Sequence, residues 1–236
     1  MQKVKKDIVS IVIPTYNERE NIEVLIPRIF DALEKKKVKG EVIIVDDNSP
    51  DKTGIAAEGF KEKYRVNVIH RKAKLDLSSA VLEGFKIAEG EIIGVMDADI
   101  SHPPESIPKL AKPIFKGEAD FVVGSRYMEG GEIKDWPLSR IVISKFAGFM
   151  ARGLTNIKDP MSGFYFFKRK VIESVNLKTT GYKIGLEIVV KGRYGKLKEI
   201  PYTFTQRKTG ESKFSFKEVL NYVTNLFKLY CYKVKK

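Results

Sequence analysis

Between residues 8 and 123 the chain alternates two rhythms. Runs rich in Val and Ile occupy 8–14, 41–45, 66–70, 91–96 and 120–123, nearly continuous rather than interleaved with polar positions. Strands covered on both faces read this way, because neither face meets water. Between them, 18–34, 51–63, 77–89 and 104–116 repeat apolar residues at three- and four-residue spacing, the period of an amphipathic helix. Strand–helix alternation of this kind predicts an α/β fold with a mostly parallel, doubly wound central sheet flanked by helices. Thr15 or Asn17 is placed to cap the first helix, and Ser49-Pro50-Asp51 to open the second.

After Gly124 the rhythm changes. A Gly130-Gly131 loop leads to a helical stretch over 138–154, then Asp159-Pro160-Met161-Ser162-Gly163 and an aromatic strand over 164–167. A helix over 182–193, a strand over 197–203 and a last amphipathic helix over 216–232 follow. With no repeat, low-complexity tract or linker, the chain reads as one unit over 1–212 and a C-terminal basic helix within 213–236.

Composition changes little in this picture. A chain of 236 residues that is 43% hydrophobic and 31% charged can bury a full core. The one cysteine, Cys231, rules out an internal disulfide framework and suits a reducing compartment. The Lys-rich start lacks the apolar core of a signal peptide, and no window is long and apolar enough for a membrane span. The expectation is a cytoplasmic protein, peripheral on the cytoplasmic face of a membrane. The net charge of +13 favours anionic partners, either phosphorylated molecules or an anionic membrane surface. Aromatic–basic interleaving and helix-turn-helix signals are missing, so nucleic acid is not expected as a partner.

Candidate chemistry gathers at three predicted strand ends: Thr15-Tyr16-Asn17-Glu18, Asp46-Asp47-Asn48-Ser49 and Asp97-Ala98-Asp99. Ligands of doubly wound sheets bind beyond the carboxyl ends of the strands. Two carboxylates one residue apart, directly after a strand, can both reach one hard cation and leave positions for phosphate oxygens. Asp97 and Asp99 are therefore the candidate ligands of Mg²⁺ or Mn²⁺, which would neutralise charge on a departing diphosphate.

Taken together, Ile13-Pro14-Thr15-Tyr16-Asn17-Glu18, the segments 45–53 and 97–105, Gly124-Ser125-Arg126-Tyr127, Asp159 to Phe164 and Gly210-Glu211-Ser212-Lys213 resemble glycosyltransferase family two. Within it the set is similar to the dolichyl-phosphate (polyprenyl-phosphate) mannose synthases, over about residues 8 to 215. The resemblance implies a GT-A fold and inverting, metal-dependent transfer of mannose from GDP-mannose to dolichyl or polyprenyl phosphate. It implies that Pro14, Tyr16 and Glu18 hold the nucleoside and that Asp46 or Asp47 reads the base. Asp97, Ala98 and Arg207 would line the donor diphosphate, and Asp99 would act with the metal in catalysis.

A phosphate acceptor also follows from the residues themselves. Pro137 opens a helix on which Arg140 and Ser144 share one face, and a guanidinium fork with a hydroxyl near a helix start suits a phosphate. Arg126 is the third expected partner, and all three match acceptor-phosphate positions of the similar enzymes; Arg126 and Arg140 are thereby also catalytic candidates. A phosphate is ionised at neutral pH and needs no general base. His102, beside the metal motif, is read as structural or supporting rather than catalytic. The helices over 138–154 (Ile141, Phe146, Phe149, Met150) and 216–232 form a candidate membrane patch. A small membrane-protein subunit is a further candidate partner.

Two positions depart from the family pattern. Ser101 stands where similar enzymes often place a Gln that joins the metal, and Asp76 stands where a Gly is usual. These leave open another nucleotide sugar such as UDP-glucose, a glycan hydroxyl acceptor with Asp159 as its base, or a nucleotide-sugar-binding homologue without turnover.

Overall fold

The Val/Ile runs become the core strands because each is apolar on both sides. The computed structural model describes residues 4–178, 181, 183–206 and 216–235. In chain order the elements are β1 (Lys5–Thr15), α1 (Arg19–Lys35), β2 (Lys39–Asp46), α2 (Thr53–Glu58), β3 (Val66–His70), α3 (Leu77–Ile87) and β4 (Gly90–Val95). A single 3₁₀ turn then enters α4 (Ile107–Phe115), followed by β5 (Phe121–Ser125), β6 (Glu132–Lys134), α5 (Leu138–Met150) and β7 (Tyr165–Lys168). The chain ends with α6 (Ile184–Lys191), β8 (Leu197–Pro201), β9 (Thr203–Thr205) and α7 (Phe216–Val234).

The main sheet runs β3-β2-β1-β4-β7-β5-β8. All pairings are parallel except those of β7, which lies antiparallel between β4 and β5. Successive strand residues feed opposite layers, as the period of two requires. Val9, Ile11 and Ile13 meet α1 and α4, whereas Val12, Ile43 and Val95 meet α3 and α6. Gly94 makes the antiparallel insertion fit: a Cβ there would run into the ring of Phe166.

Three local expectations need correction. The helix expected over 51–63 closes after Glu58 and continues as turns. Neither Thr15 nor Asn17 caps α1: the cap position is Glu18, and Asn17 turns the chain at φ 56°. The open amides at this corner go instead to the loop after β2. Ser49 Oγ accepts from Asn17 N (3.0 Å), Thr53 Oγ1 from Glu18 N (2.9 Å) and Asp51 Oδ2 from Arg19 N (3.1 Å). Unsatisfied helix-start amides need such partners, and here they come from across the sheet. The strand expected over 197–203 divides in two, because β9 leaves β8 to pair with β6 in a small parallel sheet.

The last helix packs rather than projects. Leu226 and Leu229 bury against Ala151, Leu154 and Leu186. Tyr222 and Tyr230 donate their hydroxyls to the carbonyls of Ala147 (2.6 Å) and Met150 (2.7 Å), fastening α7 to α5. The opposite sides of both helices remain open, with Phe146 62%, Phe149 60% and Phe227 70% exposed. Ile141 and Met150, expected in this patch, are instead partly covered, and Leu138, Val142 and Ile143 take part in it. No described helix is long and apolar enough to cross a membrane.

Candidate active site

β2, β1 and β4 are sheet neighbours, so their polar ends lie side by side. Asp46, at the end of β2, is buried and organises the corner. It accepts from Thr15 Oγ1 (3.1 Å), Ser49 N (3.1 Å) and Ser49 Oγ (2.5 Å). Asp47 turns towards the 71–76 loop and takes Arg71 Nη1 (2.5 Å) and Leu75 N (3.1 Å). Burial raises its carboxyl above the ordinary range, with Arg71 opposing. Arg71 also donates to Ser79 Oγ (2.8 Å), tying the loop to the start of α3. Asp76, standing where the family usually has Gly, is extended (φ −148°) and caps α3. Its carboxylate accepts from Ser79 N and Gly181 N, both at 3.2 Å.

On the β1 side, Pro14 is half-buried, and Glu18 accepts from Asn21 Nδ2 at 2.7 Å. The ring of Tyr16 lies under Lys74 Nζ, 3.8 Å from its centroid. These residues form a wall beside the β1–β2 corner, flat on one side and cationic above.

Asp97 and Asp99 leave β4 through Ala98, which is buried. Both aspartates are half-buried. Ile100 follows at φ 59°, a left-handed conformation costly for a β-branched residue. That turn brings two donors of Ser101 onto one oxygen: its hydroxyl (2.5 Å) and its amide (3.1 Å) both reach Asp99 Oδ1. Ser101 thus orients the aspartate. His102 fixes the backbone of Asp97, accepting its amide on Nδ1 at 3.0 Å. The imidazole is buried, stacks on Phe164 (4.9 Å, 8°) and meets the edges of Tyr202 and Phe204. Desolvation lowers its pKa, which keeps it neutral and able to accept.

These carboxylates suit Mg²⁺ or Mn²⁺. Among the described residues no group of three His, Cys, Asp or Glu could hold a metal. A hard cation bound through one or two carboxylates completes its shell with phosphate oxygens and water. Asp99 Oδ2, left over by Ser101, points to such sharing.

Across β7 the picture differs from the expected phosphate trio. Arg126 follows β5, but its guanidinium forks onto Asp159, Nε to Oδ2 at 2.7 Å and Nη2 to Oδ1 at 2.8 Å. The Arg126 amide joins them at 3.0 Å. Both residues are buried. Burial opposes the Arg126 charge, but Asp159 more than restores it, so its pKa rises. Glu199 holds Asp159 from behind through the amides of Lys158 (2.8 Å) and Asp159 (3.1 Å). Arg126 is therefore not an open phosphate ligand on that edge, and Asp159 is not an open base.

Arg140, in the first turn of α5, lies over the Trp136 ring with Cζ 4.0 Å from its centroid. Ser144, one turn on, lines a cavity of about 640 Å³ with Lys145, Phe149, Arg152 and Asp159. Arg207 and the 210–213 motif lie outside the described residues. Sequence reading missed Arg71, Lys74 and Trp136 as parts of the site; only the side-chain contacts reveal them.

The model of the family described as "Glycosyl transferase family 2" matches residues 10–175. The chain is 46% identical over 225 residues to the dolichol-phosphate mannosyltransferase of Pyrococcus furiosus, which covers 94% of the chain and 63% of that protein. It is 40% identical over 235 residues to the dolichol-phosphate mannosyltransferase of Saccharomyces cerevisiae, covering 95% of this chain and 87% of that one. The polyprenol monophosphomannose synthase of Mycolicibacterium smegmatis is 36% identical over 87% of the chain and 80% of that protein. Among solved structures, glucosyl-3-phosphoglycerate synthase from Mycobacterium tuberculosis superposes with TM-score 0.67 at 19% identity, over 96% of this chain and 78% of that one. Mannosyl-3-phosphoglycerate synthase from Rubrobacter xylanophilus gives 0.66 at 15%, over 97% and 74%. At such identities the likeness concerns the fold, which is GT-A. Motifs, sheet order and family match agree, and the chain belongs to glycosyltransferase family 2.

Proposed function

We propose that the chain transfers mannose from GDP-mannose to a polyprenyl phosphate, of the dolichyl type, with inversion at the sugar carbon. The relatives' names support the transfer and the acceptor class. The observation that carries the reading is that the two candidate bases, Asp159 and His102, are both engaged. Asp159 is spent on Arg126, and His102 Nδ1 on the Asp97 amide. An acceptor that arrives ionised needs none of them.

In the reaction a phosphate oxygen attacks the anomeric carbon as the bond to the β-phosphate oxygen breaks. The electron pair leaves with GDP, and no proton must move. Asp97 and Asp99 would hold Mg²⁺ or Mn²⁺, which supplies charge neutralisation on the leaving diphosphate. Pro14, Tyr16 and Glu18 wall the nucleoside, with Asp46 and Asp47 behind them. Arg207 is assigned to the donor phosphates by sequence position alone. Arg140 and Ser144 face the acceptor. Catalysis is then mainly alignment and electrostatics. The open apolar sides of α5 and α7, among basic residues, seat the chain on the cytoplasmic face of the membrane that carries the acceptor.

The test is incubation with Mn²⁺ or Mg²⁺, polyprenyl phosphate in detergent and a panel of radiolabelled nucleotide sugars. Label from GDP-mannose should appear in the lipid extract. Label from another nucleotide sugar alone would overturn the donor, and label released only to water would overturn the acceptor.

A further inference from the structure

Arg140 is an expected acceptor ligand whose guanidinium lies over the Trp136 ring, 4.0 Å from its centroid. We infer that Trp136 is the positioning residue of the acceptor-phosphate site, setting the plane of Arg140 while being held in turn by Arg126. This rests on the acceptor reading above.

Two guanidinium groups approach the ring. Arg126 Cζ lies 5.3 Å from its centroid and Arg140 Cζ 4.0 Å. Phe204 in β9 closes the edge at 5.1 Å and 70°. The indole Nε1 is buried without a hydrogen-bond partner, so faces and edge alone hold the ring. Its backbone is also set. Asp135 takes φ 64°, and Pro137 keeps Trp136 out of the helical region. Arg126 is itself immobilised by its fork onto Asp159. The chain of contacts is therefore Asp159 to Arg126 to Trp136 to Arg140, running from the buried end of the β5 loop to the start of α5. Through it the buried ion pair anchors the surface on which the phosphate-facing arginine lies. A guanidinium held over an indole keeps its N–H donors in its own plane and its charge on the ring face, a posture that suits recognition of an anion.

The chain contains a single tryptophan, so all its indole emission comes from this position. Adding farnesyl phosphate to the full chain should change that emission, and GDP should not. Arg140→Ala should abolish the farnesyl phosphate response. In the transfer assay Trp136→Leu should raise the acceptor KM about tenfold and leave the donor KM unchanged, with Trp136→Phe in between. A ring with a merely structural role would lower the thermal midpoint without separating the two KM values. An unchanged acceptor KM in Trp136→Leu, with Arg140→Ala raising it, overturns the positioning role alone. If Arg140→Ala also leaves the acceptor KM unchanged, the acceptor reading itself falls.

Discussion

Asp99 has one oxygen fixed by Ser101 twice over, and that division of labour sets its sensitivity. Losing the carboxylate altogether, as in Asp99→Ala, should abolish transfer in the lipid-extraction assay. Ser101→Ala keeps the amide donor and removes the hydroxyl. Supporting groups of this kind typically change metal affinity by about tenfold, and a Mn²⁺ titration followed by electron paramagnetic resonance reads that directly. Under the proposed function, Ser101 would reach the metal only through Asp99, on whose Oδ1 both of its donors converge. His102 answers to a different measurement. His102→Phe preserves the stack on Phe164 but strips the Asp97 amide of its acceptor. The expected loss is about 1–3 kcal/mol in urea unfolding.

Asp120 joins three elements at the opposite end of the sheet. It takes Lys170 Nζ (3.0 Å) and Lys168 Nζ (3.2 Å) from the end of β7 and beyond, and the amides of Gly195 (3.0 Å) and Lys196 (3.2 Å) ahead of β8. Burial pushes its carboxyl up, but these donors outweigh it and hold the pKa well below the usual range. A depressed folded value means a stabilising contribution that is complete above the unfolded pKa, near 4. It is lost as the pH falls through that value towards the folded one. Asp120→Asn should therefore lower the urea midpoint at pH 7 and make stability less steeply dependent on pH between about 4 and 2. Equal acid sensitivity in the two proteins would remove Asp120 from the account.

The same scale explains what the sequence could reveal. The five Val/Ile runs of the first half became strands because burial on both faces leaves a continuous apolar signature. Their ends marked the site for the same reason: Asp46, Asp47, Asp97 and Asp99 interrupt those runs abruptly. The direction of β7 was not legible, since four aromatic and basic residues carry no sign of parallel or antiparallel pairing. The caps of α1 were misread because Ser49, Asp51 and Thr53 reach it across the sheet, not along the chain. The ion pair of Arg126 was not legible for a related reason. Its partner Asp159 is distant in sequence, and a fork closed by a buried carboxylate looks, as a motif, like one open to phosphate.

At the level of the whole molecule, charge and apolar surface act together. In the proposed membrane seat a net charge of +13 would attract anionic lipid, and the exposed rings of Phe146 and Phe227 would supply contact that salt does not screen. Phe146→Asp with Phe227→Asp should reduce co-sedimentation with phosphatidylglycerol vesicles by at least about tenfold, with little change in thermal midpoint. Binding that is abolished by salt alone and indifferent to both substitutions would assign the attraction to the lysines.

The antiparallel β7 has one more consequence, in the order in which a growing chain can become a working one. The proposed donor wall, from Pro14 to Asp99, emerges first, on strands β1 to β4 that pair among themselves. The edges of β4 and β5 then stand open until Tyr165–Lys168 has been made and slips between them. Phe164, just ahead of that strand, is the floor on which His102 stacks, and His102 fixes Asp97. A nascent chain halted before Phe164 therefore contains both proposed metal-ligand aspartates, with the Asp97 corner not yet supported. The last strand to enter the middle of the sheet supplies none of the proposed ligands, yet it closes the gap between the proposed donor and acceptor halves.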